Sequence, residues 1–109
     1  MNRSIRYWSG GRGLTQIAIW TLLCMEGFWP RVWLGRSGEV CPPCALSRQR
    51  ILWVAEGLLI VRLPDRDQNF ILRQGDRLEI PAHVSHETII ESSRLVCVEA
   101  RGSYARQRL

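Results

Sequence analysis

Four of the six cysteines and histidines in this sequence fall in two short stretches. Cys41 and Cys44 flank a pair of prolines, and His83 and His86 follow just beyond Pro81 with two residues between them. Thiolates and neutral imidazoles are common ligands of zinc and related metals, so Cys41, Cys44, His83 and His86 form a candidate four-ligand set. The prolines oppose it, because a fully extended Pro-Pro would hold the thiols roughly 9 Å apart at about 3.1 Å per residue. Arg50 is the third pointed position. It shares the strand parity of the apolar residues Leu52 and Val54, so it is expected to face inward. A buried guanidinium needs an anionic partner, which a bound ligand or Glu99 could supply.

These side chains must be carried by short strands. The stretch GDRLEIPAHVSH, residues 75–86, opens with a Gly-Asp turn, alternates Leu78 and Ile80 with Arg77 and Glu79, and ends its pairing at Pro81. Residues 51–55 and 58–63 are apolar runs split by Glu56-Gly57, the pattern of a hairpin. Residues 70–73, 88–90 and 95–98 read as further strands, and 32–34 as another after Pro30. The run 14–24, rich in isoleucine, threonine and tryptophan, reads as a buried strand rather than a helix. Residues 1–13 carry Tyr7 and Trp8 and then a glycine-rich turn, forming an arm that frays or pairs with a neighbour. Strands with turns every eight to twelve residues or so, and no persuasive amphipathic helix, predict an all-β barrel or sandwich.

Two glycine-anchored segments sharpen that prediction. In the first, Gly38 is followed after five residues by Cys44-Ala45-Leu46, then by Arg50 and Gly57. In the second, Gly75, Pro81, His83, His86 and Ile90 keep a fixed spacing. Together they resemble the two motifs of the cupin superfamily, whose fold is a double-stranded β-helix or jelly-roll barrel. The resemblance implies one domain over 1–109, with an arm at 1–13, a barrel at 14–100 and a tail at 101–109.

The resemblance also implies where a metal would sit. Metal-dependent cupins hold a divalent ion with two histidines and a glutamate from the first motif and a histidine from the second, and those positions here are Cys44, Leu46, Arg50 and His86. Leu46 has no donor atom, and Arg50 brings a permanent positive charge to a ligand position. The resemblance therefore implies a cupin barrel that binds a small molecule, anions included, through Arg50, His86 and Cys44 without the usual metal centre. The alternative is a metal-dependent oxygenase or isomerase that keeps His86 and Cys44, with His83 and water completing the shell around zinc, iron, nickel or manganese. His83 stands where the motif has glycine, at a turn on the barrel rim. A third reading is redox chemistry, since Cys41-Pro42-Pro43-Cys44 resembles a thioredoxin-like motif, although that motif belongs in a βαβ context.

Composition bounds these readings. The chain has 109 residues, 46% of them hydrophobic and 23% charged, room for one modest core. All fifteen basic residues are arginine, against ten acidic ones, for a formal charge of +5. The arginines are scattered along the chain, so nucleic acid is not the expected partner, though Arg101, Arg106 and Arg108 could contact acidic groups. The apolar run 14–25 is too short to span a bilayer, and no small-residue cleavage site follows it, so a cytoplasmic location with reduced thiols is expected. Cys24 and Cys97 are expected to be buried as small hydrophobes. Of the five tryptophans, at least two of Trp20, Trp29 and Trp33 are expected in the core. Trp53, at the parity opposite Leu52 and Val54, is expected to face outward at a homodimer interface.

Overall fold

Alternating apolar residues leave each strand one face to bury, and here two antiparallel sheets bury those faces against each other. The computed structural model describes residues 4–102. The elements are β1 (Arg6–Trp8), α1 (Gln16–Met25), β2 (Arg31–Arg36), β3 (Val40–Cys44), β4 (Arg50–Glu56), β5 (Leu59–Leu63), a 3-10 turn (Pro64–Arg66), β6 (Gln68–Leu72), β7 (Arg77–Ile80), β8 (His86–Ile90) and β9 (Arg94–Arg101). One sheet has the order β1-β7-β4-β9-β2, the other β3-β8-β5-β6. Leu52, Val54, Leu78, Ile80 and Cys97 from the first sheet meet Leu59, Val61, Leu72 and Ile90 from the second in a single core.

The run 51–55 is apolar on both parities because β4 is covered on both sides. Ile51, Trp53, Val96, Val98 and Ala100 form a second cluster on the outer side of the five-stranded sheet, capped by Ile19, Leu23 and Phe28. Trp53 does face away from the barrel interior, yet it is only 3% exposed and its indole N–H donates to the Gly75 carbonyl at 3.1 Å. The expected interface position is thus taken up by the chain's own helix and by Trp8, whose ring meets Trp53 edge-on at 5.6 Å.

That helix corrects the strand expected over 14–24. Thr15 caps its start, accepting a hydrogen bond from the Ala18 amide at 3.1 Å. At its end Gly27, with φ of 96°, lets Gly27 N–H reach the Cys24 carbonyl and Phe28 N–H reach the Leu23 carbonyl, a Schellman closure with Leu23 and Phe28 packed together. Only Ile19 and Leu23, four residues apart, are buried, while Ile17, Trp20, Leu22 and Met25 stay exposed. Apolar residues on every side erased the period that would have revealed a helix. Trp20 and Trp29 are therefore outside the core, Trp33 packs partly buried against it, and Cys24 is exposed where burial was expected. No helix among the described residues is long and apolar enough to cross a membrane.

The Glu56-Gly57 turn also differs from its sequence reading. β4 pairs with β7 and β9, whereas β5 pairs with β6 and β8, so the turn carries the chain from one sheet to the other instead of closing a hairpin. Gly57 has φ of 96°, and a Cβ there would collide with the Arg94 carbonyl oxygen. The crossing depends on that missing side chain.

Because Leu23 is fully buried on the inner side of α1, Leu23→Ala should lose about 2–5 kcal/mol in urea unfolding. Ile17→Ala, on the exposed side of the same helix, should stay within about 0.5 kcal/mol of the parent.

Candidate functional site

Strand ends converge at one mouth of the barrel. β4 begins at Arg50 opposite Arg101, β2 begins at Arg31 opposite Glu99, and β8 begins at His86 in the facing sheet. Directly opposed residues of an antiparallel pair share a face, so Arg31, Arg50, Glu99 and Arg101 lie on the same side of their sheet as Leu52 and Cys97. That side faces the interior.

Arg50 and Glu99 form a fork. Arg50 Nε donates to Glu99 Oε2 at 2.8 Å and Nη2 donates to Oε1 at 3.2 Å. The remaining arm, Nη1, lies 3.0 Å from His86 Nε2, and His86 Nδ1 lies 2.9 Å from the Val84 carbonyl. A guanidinium only donates and a carbonyl only accepts, so His86 carries its proton on Nδ1 and offers Nε2 as acceptor: it is neutral. The Arg50 guanidinium also stacks 5.7 Å from the Trp33 ring centre. Arg50, Glu99 and His86 are 7%, 2% and 1% exposed, and their bonds join the two sheets. Glu99 further accepts from Arg101 Nε at 2.7 Å, with Arg31 Nη2 at 4.0 Å. No buried side-chain nitrogen or oxygen among the described residues lacks a partner.

The charges shift one another. Burial pushes the Glu99 carboxyl upward, but the hydrogen bonds and charges of Arg50, then Arg101, outweigh it and hold the group below its ordinary 4.5. Burial is the main force lowering His86 below 6.5; the bond to Val84 opposes it, and the charge of Arg50 reinforces it. Cys97 is fully enclosed, which drives its thiol up to about 12 and leaves it unreactive at neutral pH.

A divalent metal fits this arrangement poorly. The one lone pair His86 has to offer points at a permanent cation, and Leu46, half-buried, supplies no donor. Cys44 is the ladder partner of His86 and Cys41 that of Thr88, with the ladder shifting register between them, and both cysteines are exposed while His86 is buried. His83 is exposed with φ of 67°, the left-handed conformation that suits the glycine of the motif. Among the described residues no three or more His, Cys, Asp or Glu gather as a potential metal site. The structure therefore unites Arg50 with His86, while Cys44, which faces His86 across the ladder, is exposed, as are Cys41 and His83. Arg31, Arg101 and Trp33 belong to the mouth although the sequence did not single them out as site residues, since strand register alone places them there. Arg106 and Arg108 lie outside the described residues.

Breaking the fork should be costly. Arg50→Met alone leaves Glu99 buried without its main partner and should lose about 3–5 kcal/mol in urea unfolding, while adding Glu99→Leu should recover much of that loss. Both His86 and Glu99 bind protons less readily folded than unfolded, so stability is present at neutral pH and falls on acidification. The loss should begin as pH drops through the unfolded histidine value of 6.5 and steepen below the carboxylate value of 4.5. His86→Gln, which keeps an acceptor for Arg50, should flatten the first part of that profile and leave the second.

No family model matches the sequence, and no curated protein matches it. Solved structures do. The chain superimposes on KdgF from Halomonas sp. with a TM-score of 0.64 at 18% identity, over 77% of each chain. A cupin-2 domain containing protein from Shewanella frigidimarina matches with a TM-score of 0.58 at 19% identity, over 70% of this chain and 71% of that one. A cupin superfamily protein from Desulfitobacterium hafniense matches with a TM-score of 0.62 at 13% identity, over 94% of this chain and 81% of that one. Two facing antiparallel sheets, the motif spacing and these likenesses agree: the chain has the cupin fold, a β-barrel of two facing antiparallel sheets.

Proposed function

We propose that this barrel binds a small anionic molecule at its arginine-rich mouth, without a metal ion. One observation carries the reading: three guanidiniums, Arg31, Arg50 and Arg101, surround the single carboxylate of Glu99, and His86 beside them is neutral. Three positive charges against one negative leave two in excess at one end of the barrel. Arg50 is buried and its fork is spent on Glu99, so it acts as a fixed charge behind the site. Arg31 and Arg101 are 68% and 44% exposed at the side chain and keep donors for a ligand carboxylate or phosphate. Arg48, whose side chain lies in the space a Cβ at Gly102 would face, adds a further cation at that end.

Thermal-shift and calorimetric titration with malonate, citrate, pyruvate and inorganic phosphate tests this. A ligand present at a hundred times its Kd should stabilise the protein by about 2.7 kcal/mol. The effect should weaken with added salt and disappear in Arg31→Ala/Arg101→Ala. Absence of stabilisation by every acid, or stabilisation that survives the double substitution, would overturn the anion site. Stoichiometric metal in untagged protein, lost on His86→Ala, would overturn the metal-free reading.

A further inference from the structure

A pocket of about 690 Å³ lies outside the barrel where β1 and the end of α1 flank β4 and β7. Its centre is Arg77, which holds Glu26 through two bonds of 2.7 and 2.9 Å, contacts Glu79 at 3.0 Å and stacks 4.9 Å from the Trp53 ring centre. This set pins the end of the helix to the sheet. At the rim, Trp8 is 47% exposed, and Arg6 is 76% exposed at its side chain with Glu79 no closer than 3.9 Å. A smaller pocket of about 250 Å³ shares Arg6, Gln49 and Glu79 and extends toward Pro81. The two form lobes of one groove.

The walls define the ligand. Arg6 and Arg77 balance Glu26 and Glu79, so an anion would face two carboxylates and a cation two guanidiniums. The groove offers an aromatic face beside closely spaced planar donors and acceptors: guanidinium, carboxylate and carboxamide. The complement is an uncharged molecule with an apolar C–H face and a rim of neighbouring hydroxyls, which can bridge such forked groups in pairs. Those are the properties of a sugar ring. The larger lobe falls within the usual range for ligand pockets, and the smaller one adds room for a second ring. We infer that this outer groove binds a neutral saccharide of at least two rings, one stacked on Trp8 with hydroxyls on Arg6, Gln49 and Glu79. None of these residues belongs to the barrel mouth, so the two sites stand or fall separately.

Titration with maltose, cellobiose and N,N′-diacetylchitobiose, followed by tryptophan fluorescence and calorimetry, provides the test, with sorbitol as a hydroxylated compound that lacks a ring. At least one disaccharide should saturate the protein while sorbitol does not. Trp8→Ala should weaken binding about tenfold or more and Trp8→Phe about threefold or less, since a smaller ring still offers a face. Arg6→Ala, at an exposed position, should weaken binding with the melting temperature unchanged. Trp20→Ala, on the helix but away from the groove, should have no effect on affinity. Failure of all three disaccharides to bind, or binding indifferent to both Trp8→Ala and Arg6→Ala, would overturn the inference.

Discussion

The permanent charge of Arg50 is the constraint around which the barrel mouth is arranged. A guanidinium cannot shed its proton when it is buried, so the surrounding protein has to answer the charge. Glu99 answers it with a two-bond fork, and His86 takes the remaining arm through an unprotonated nitrogen. Each consequence follows from the previous one. Glu99 stays ionised despite burial, His86 is confined to one tautomer and the neutral state, and the two sheets are joined where their strands begin. The same charge that secures this end would repel a cation placed beside His86.

The outer side of the five-stranded sheet is organised by a different force. Ile51, Trp53, Val96 and Val98 would present an apolar face to water if α1 did not cover it with Ile19 and Leu23. The cover is anchored at its far end by Arg77, which pairs with Glu26 of the helix cap while resting on Trp53 of the sheet. The barrel is thus central rather than peripheral: its main sheet has one core inside and another beneath the helix. The groove beside Arg77 exists because the helix ends before covering the sheet completely.

Turn chemistry and alternation made much of the barrel legible. Gly75, the Leu78/Ile80 alternation and Pro81 appear as a turn, a half-buried strand and its end, and His83 adopts the glycine-like conformation its motif position implies. The parity of Arg50 with Leu52 and Val54 correctly placed it inside, and Glu99 was identifiable as a possible partner. Less was visible where burial is two-sided. A strand covered on both faces and a short helix that is apolar all round have similar composition, so residues 14–24 read as strand. The Thr15 cap and Gly27 were the available signals of a helix, but hydrophobic content overshadowed them.

By itself, then, the sequence determined the strand-rich class, the inward Arg50 and the cupin-like spacing, because these depend on local turn geometry and on the period of two. Tertiary structure decided the rest. Whether Arg50 would meet a ligand or Glu99, whether Trp53 would meet a second subunit or the chain's own helix, and which arginines would gather at the mouth all depend on pairings between residues distant in sequence. The alignment of β2, β4 and β9 brings Arg31, Arg50, Glu99 and Arg101 together, and the facing sheet supplies His86. No local pattern encodes that meeting, since it arises only when the register of both sheets is set and a buried charge selects its nearest answer.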